Sequence, residues 1–577
     1  AYDALGRFVI SETDALGQVF RKIKLNQWDA FGNPLEIENI DGVVSISASD
    51  RMGRPFASYN QTGAWQKTLN YPGKPVFCPD GTVWYSKTTV GGGAIDHQCF
   101  DINGRKIRSV SKSINNKMVF VDQYHDISGR PERVSEPYFE NDSPYWNSTE
   151  YDVAGRVTHL QGPGNNDLRT YYDEQATNSC TSAGPGVTVT TNALGQSTVE
   201  VKNVLGETEE SFDANCGRVS FDYDSMGYLN RVTGVDGSSI RMSYDGAGRK
   251  VSQSDPDKGF WQYAYNVFGE LTRQLDSKRQ AIDFEYDALG RVTNRRELSG
   301  VDSLGDSGFV VVNRETTNYR TASPGKSQAA TVIYRSGDSG AISHQLDNSY
   351  DWLGRLVRVS STVNNQQFYQ ETTYDAYGRV FQQFDVSGDS RGLRYAYKYG
   401  HLIQLKEARE GGEGLVYQSI LNKDARGNVT VAELGNGVTT VAGYDPGNGH
   451  LTNLSAYDPY GVELQNVDYL FDVLGNLNSR HDQSAGSDLK ESFSYDRMNR
   501  LTQVKLLAPS IGIASPIETL AMDYDATGNI AWKSDVGVYV YGNGTGSGGP
   551  HAVIQAGNTS YGYDANGNQV SGDDRSI

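Results

Sequence analysis

Several groupings in the sequence could carry chemistry, and each demands a definite environment. Gly305-Asp306-Ser307-Gly308 and Gly337-Asp338-Ser339-Gly340 hold a serine in the kind of run that a nucleophilic hydrolase uses. Such a serine works only beside a histidine that a carboxylate orients, with donors ready for the oxyanion. Both runs lack the expected following glycine, carrying Phe309 and Ala341 instead, and Gly-Asp-Ser-Gly is also good turn chemistry. Gly544-Thr545-Gly546-Ser547-Gly548-Gly549 fits GxGxxG. A phosphate cradle needs that loop to open a helix, whereas Pro550-His551-Ala552-Val553-Ile554 reads as strand entry, so an inter-repeat loop is expected. Histidines stand at 97, 125, 159, 344, 401, 450, 481 and 551, with no His-x-x-x-His or His-Glu-x-x-His among them. No metal site is predicted. Paired carboxylates could cleave glycosides. The aspartates, however, recur at one position of a repeat, as turn residues do and catalytic pairs do not. The sequence thus predicts no catalytic, cofactor-binding or metal-binding residue, and no enzyme.

The elements that would hold these groups are repeats. Aromatic-Asp-x-x-Gly-(Arg/Asn) begins at Tyr2, Phe100, Tyr151, Tyr244, Tyr286, Tyr350, Tyr374, Phe471, Tyr524 and Tyr563. Degenerate copies begin at Trp28, His125, Lys423 and Tyr495, and Asp224, Asp245, Asn266 and Asp287 follow one another at steps of 21 residues. Ile282, Phe284 and Tyr286 share one face of an alternating run. Asp287 then caps the turn, Gly290 supplies positive φ, and Arg291 with Val292 opens the next strand. A period of 21 residues fits one hairpin per repeat. Lone hairpins are marginal, so they must pair side by side into a sheet that curls into a tube, spiral or shell. No stretch sustains a helical period, and longer, irregular hairpins are expected around 60–99, 160–190 and 301–349.

Bulk properties agree. A chain of 577 residues exceeds what one hydrophobic core serves, while its hydrophobic fraction is only 37% and its mean hydropathy −0.55. A net charge of −18 argues against binding a phosphate backbone. No apolar run is long enough for a transmembrane helix. Cys78, Cys99, Cys180 and Cys216 allow two disulfides, Cys78–Cys99 and Cys180–Cys216, or four unpaired thiols in a strand-rich wall.

The cores Tyr-Asp-Ala-Leu-Gly-Arg at 2–7 and 286–291, and Tyr-Asp-Ala-Asn-Gly-Asn at 563–568, resemble those of Rhs/YD-repeat proteins. So do Leu434-Gly435-Asn436-Gly437-Val438 and Gly549-Pro550-His551-Ala552-Val553. That family includes cocoon subunits of Tc toxin complexes, Rhs polymorphic toxins and teneurin shells. The resemblance covers essentially the whole chain. It implies an all-β fold in which one continuous spiralling sheet of hairpins forms a hollow shell, with residues 1–577 as a single unit. It also implies a secreted or cell-surface bacterial scaffold whose partner is an enclosed C-terminal toxin polypeptide or a companion toxin-complex subunit. Family members that release cargo resemble aspartyl autoproteases with paired Asp-Pro dipeptides. Here Asp255-Pro256, Asp445-Pro446 and Asp458-Pro459 lie within ordinary repeat sequence, so neither an autoprotease nor a toxin segment is expected within this chain, which reads as a fragment. The alternative is a surface adhesion module that binds glycans through exposed Tyr and Trp.

One layer of sheet has room to enclose something. At about 16 Å² per strand residue, the chain could span roughly 9,000 Å², a sphere of about 27 Å mid-wall radius.

Overall fold

Tyr286, Asp287, Gly290 and Arg291 of the repeat core each have a mechanical role in the hairpin formed by strands Gln280–Tyr286 and Val292–Ser299. The Gly290 N–H donates to Asp287 O at 3.0 Å and closes the turn. Asp287 Oδ1 accepts from the N–H groups of Leu289 and Arg291 at 2.9 and 3.1 Å, while its Oδ2 accepts from Arg291 Nε at 2.8 Å. Gly290 sits at φ 73°, where a Cβ would be strained, and a bulge between Glu285 and Tyr286 follows. The phenol of Tyr286 donates back to Leu271 O, fifteen residues earlier, at 2.7 Å; Tyr265, Tyr244 and Tyr223 do the same to Lys250, Leu229 and Thr208. The repeat arginine lies over the next repeat's ring: Arg291 over Tyr319 at 4.0 Å, Arg355 over Tyr374 at 4.1 Å. The motif thus ties each hairpin to its neighbours. The face carrying Ile282, Phe284 and Tyr286 is only partly buried; Ala281 and Asp283, on the other face, are the buried residues of this strand.

The computed structural model describes all residues except 4–7, 24–27, 61–64, 174–179, 386–390, 410–411, 485, 509–515, 545–547, 574 and 577. The end of the first repeat core, Ala4 to Arg7, therefore lies outside the described residues. Among the described residues there are 49 strands, and one 3-10 turn, Pro163–Asn165, is the sole helical element. Strands pair antiparallel with their sequence neighbours nearly throughout, forming one continuous sheet. Strand Met118–His125 departs from this, pairing with Lys106–Lys112, Pro131–Ser135 and Tyr138–Phe139.

The sheet is one layer thick. Its accessible surface is 31,652 Å², against about 20,000 Å² for a compact monomer of the same mass. It also closes on itself. Hydrogen bonds join residues 283 to 309 positions apart: Tyr399 OH to Asn116 Oδ1 at 3.0 Å, and Ser327 Oγ to Gln18 Oε1 at 3.1 Å, among others. The two partners always come from opposite ends of the hairpins. Turns at the rim away from the repeat cores, in the first half of the chain, meet repeat-core turns of the second half. The chain is thus a spiral of two stacked turns joined along a seam. Between Glu136 and its partner Arg426 lie the 24 strands from Tyr138–Phe139 to Gly412–Lys423. At about 4.8 Å per strand, with strands along the axis, one turn measures roughly 115 Å around and about 37 Å across. Subtracting a wall of about 10 Å leaves a lumen on the order of 27 Å wide.

Candidate functional site

A wall functions by staying closed, so its critical residues lie on the seam and where loops cover the sheet. Along the seam the contacts are polar and individually specific. Gln196 and Asn499 exchange side-chain amide bonds at 3.1 and 3.2 Å. Lys278 Nζ lies 2.8 Å from Asp564 Oδ2, and Asn566 Nδ2 donates to Asp276 Oδ2 at 2.6 Å. Burial opposes the charge of Asp564, but hydrogen bonds from Lys278 and Asn568 outweigh it and hold the carboxyl at about 2. Asp257 accepts from the His551 N–H at 3.0 Å and pairs with His551 Nδ1 at 2.8 Å. Gly549 has to be glycine here, because a Cβ would stand 2.2 Å from Asp257 Oδ1 and 2.6 Å from Pro256 O.

Three hydrophobic clusters thicken the wall, each beneath a loop that folds over one face. The loop after Pro72 brings Phe77 onto Val110, Phe120 and Tyr138. The segment after Tyr172 brings Cys180 onto Val187, Val189, Val199 and Phe212. The loop after Ser299 brings Leu304 and Phe309 onto Leu275, Ala281, Leu298 and Val301. Disulfides Cys78–Cys99 and Cys180–Cys216 fasten the first two, which decides the question the sequence left open.

A buried arginine–aspartate pair fastens the first and the third. Arg108 binds Asp122 with two nitrogens, reaches Phe77 O at 3.1 Å and lies 4.5 Å from the Phe120 ring centre. Tyr138 donates to Asp122 Oδ2 at 2.6 Å, and burial, with this bond to a carboxylate, pushes its phenol upward. Arg273 repeats the arrangement: it binds Asp283 at 2.5 and 2.8 Å and the carbonyls of Leu304 and Asp306 at 3.0 and 2.8 Å. A buried charge pair is costly unless its remaining hydrogen-bonding capacity is met, and here the loop carbonyls meet it. Neither pair was foreseen from the sequence, where an arginine and an aspartate 10 or 14 residues apart carry no pattern.

The serine runs occupy turns. The Asp306 carboxylate accepts from the N–H groups of Asp302 and Gly308 at 3.0 and 2.8 Å, while Asp338 pairs with Arg314 at 3.2 Å. In the GxGxxG run, Thr545, Gly546 and Ser547 lie outside the described residues, and Gly544, Gly548 and Gly549 border a seam cavity of about 350 Å³ beside Asp255-Pro256-Asp257. All three Asp-Pro aspartates cap turns: Asp255 accepts from Asp257 N at 2.9 Å, Asp445 from Gly447 N at 2.7 Å and Asp458 from Tyr460 N at 2.9 Å. The histidines are dispersed: His159 pairs with Asp167, His344 with Ser361, and His481 with Asp488. His97 is buried against Phe77, and that burial lowers its pKa.

No family model matches the sequence. The chain is 24% identical over 436 residues to the double-stranded DNA deaminase toxin A of Burkholderia cenocepacia (strain H111), covering 73% of this chain and 28% of that protein. It is 24% identical over 251 residues to the probable deoxyribonuclease RhsA of Dickeya dadantii (strain 3937), covering 42% of this chain and 15% of that one. It therefore spans less than a third of these curated relatives. Among solved structures, the TcdB2-TccC3-Cdc42 crystal structure superposes on 99% of this chain and 38% of its own with a TM-score of 0.72 at 14% identity. The TcdB2-TccC3 crystal structure covers 99% of this chain and 36% of its own, with a TM-score of 0.69 at 15% identity. At these identities the likeness speaks for the fold.

Proposed function

We propose that this chain, which belongs to the Rhs/YD-repeat family, is the wall of a container: a non-enzymatic scaffold that encloses a toxin polypeptide and keeps it from its surroundings. The observation that carries the reading is the seam. A single-layer sheet that joins itself after some 290 residues surrounds a space, and a lumen about 27 Å wide admits an unfolded chain or a small partly folded domain. Residues 1–577 act in this reading as one wall unit. The relative named as a DNA deaminase toxin supports a toxin as the occupant, either a polypeptide joined to this chain or one held by a companion subunit. Secretion or surface display is the matching location, and the two disulfides suit an oxidising compartment. Among the described residues no helix is long and apolar enough to cross a membrane, a finding that does not bear on strands.

The test is protease protection of a small unstructured passenger fused after Ile577. The expected result is survival of the passenger under protease that degrades it when free. Degradation at the same rate as the free passenger overturns the container reading. A second reading, glycan binding, draws on the seam cavity of about 480 Å³ lined by Tyr138, Phe139, Tyr145 and Tyr444 with Asp142 and Arg426. A glycan array showing binding that Tyr145→Ala abolishes would favour it.

A further inference from the structure

One face of the sheet sets cations against cations. Residues directly opposite each other on paired strands point to the same side, and there Arg231 faces Arg241, Arg296 faces Arg314, Arg314 faces Arg335, and Arg394 faces Lys406. Register and alternation, followed from strand to strand, put all of them on the face that carries Arg273 and Asp283. Like charges placed this way are destabilising. Among the described residues no strand pair sets two carboxylates opposite each other, although the chain carries a net charge of −18. The partners present do not neutralise the cations. Arg296 draws on Glu285 at 3.2 Å and on Asp283 at 3.5 Å, which Arg273 already holds, and its Nε is buried without a hydrogen-bond partner. Arg314 binds Asn294 Oδ1 at 2.9 Å and Asp338 at 3.2 Å. Among the described residues no carboxylate pairs with Arg241, Arg335, Arg394 or Lys406; Arg335 reaches Gly340 O at 3.2 Å, and Arg394 lies over the Phe381 ring at 4.8 Å.

We propose that this face binds an acidic stretch of polypeptide, whose carboxylates supply the missing counter-charges. A carboxylate accepts two parallel hydrogen bonds from a guanidinium fork, so one placed between facing arginines turns their repulsion into two attractive contacts. The row Arg296, Arg314, Arg335 spans two strand spacings, about 10 Å, and alternate side chains of an extended chain, about 7 Å apart, fit within it. The cations form three stations: strands Leu229–Thr233 and Ser239–Tyr244, strands Val292–Ser299 to Ala329–Ser336, and strands Gly392–Lys398 and His401–Arg409, with four strands between each station and the next. Between the second and third stations the face carries carboxylates of its own, Asp347 and Glu371. A nucleic-acid backbone, charged at every step, is repelled there, whereas a polypeptide with its acids in clusters is not. The inference stands apart from the container reading, and protection of a passenger from protease does not bear on it.

Fluorescence anisotropy of a fluorescein-labelled glutamate-rich peptide, titrated with the full chain, tests it. Saturable binding that weakens as salt rises is expected, with a lysine-rich peptide left free. An Arg241→Gln, Arg335→Gln, Arg394→Gln variant removes one cation from each station and should bind at least about tenfold more weakly. It should keep its circular dichroism and melt no lower than the unmodified chain, because each change relieves a facing pair. A lower melting temperature in the variant would mean that these arginines hold the sheet together, and overturns the proposal. So does a wild-type chain that leaves the glutamate-rich peptide free, or binding undiminished in the variant. A single-stranded oligonucleotide of equal charge that binds more tightly than the peptide overturns the choice of partner and with it the proposal.

Discussion

Arg426 and Glu136 form an ion pair at 2.8 Å across 290 residues of sequence, with each side chain 21% exposed. Arg426 also donates to the carbonyls of Pro446 and Gly447, and Glu136 accepts from Asn147 Nδ2 at 2.6 Å, so both charges are held in place by their own turn of the spiral. Arg426→Ala leaves Glu136 without its partner and should destabilise the fold by about 1–2 kcal/mol. A double-mutant cycle with Glu136→Gln, read by denaturant unfolding, should return a coupling energy of about 1 kcal/mol. Additive effects would mean that the two turns do not hold each other there.

Gly290 stands at φ 73° in a turn closed by its own N–H. Gly290→Val should lower stability by more than about 1 kcal/mol, because a β-branched residue resists that conformation. An unchanged melting temperature would contradict the turn geometry.

The disulfides span 21 and 36 residues. By loop-closure entropy each contributes about 3–4 kcal/mol. Thiol titration should detect no free cysteine until the protein is reduced, and melting with a reductant should show a clear drop. Cys78→Ser/Cys99→Ser should loosen Phe77 from its cluster first, seen as faster amide exchange in strands Lys106–Lys112 and Met118–His125.

The repeat carboxylates set the response to acid. The Asn33 side chain holds the Asp29 carboxyl at about 2 rather than its ordinary 3.8, and Asp564 lies at about 2 as well. A carboxyl depressed in the folded state favours folding fully above its unfolded value and loses that contribution as pH falls. Melting temperature should therefore be nearly level from neutrality to about pH 4 and fall steeply from there to about pH 2. A steep fall already at pH 6 would point to histidines instead.

Ser307 and Ser339 lie in connections between strands, so Ser307→Ala should alter neither stability by more than about 0.5 kcal/mol nor turnover on a peptide or glycan panel. Turnover abolished by that change would make the chain an enzyme.

The sequence reveals the hairpins because each is built from residues at fixed spacing. Asp287 caps a turn only four residues long, and Tyr286 reaches a carbonyl fifteen residues back. Local geometry of this kind repeats, and repetition is visible. What fastens the wall is not repeated. Gln196 finds Asn499 through the curvature accumulated over some two dozen strands, and no property of either residue announces the other. Arg108 and Arg273 were equally hidden, since their meaning depends on loops folding back over the sheet. The buried face around Ala281 and Asp283 was not legible for the same reason: alternation distinguishes two faces of a strand, but only the loop carrying Phe309 decides which is covered.

The seam also governs how the molecule can change length. Because a rim meets the one a full turn away, inserting one hairpin near the middle of the chain would leave every hairpin intact yet slide all later turns by one position against the earlier ones. Glu136 would then face a neighbour of Arg426, and Gln196 a neighbour of Asn499. The rims behave like the two scales of a vernier, regular enough to mesh at many settings but marked so that one setting fits best. Duplication of a repeat between two joined turns therefore disturbs every seam pair that spans it, although each hairpin folds as before.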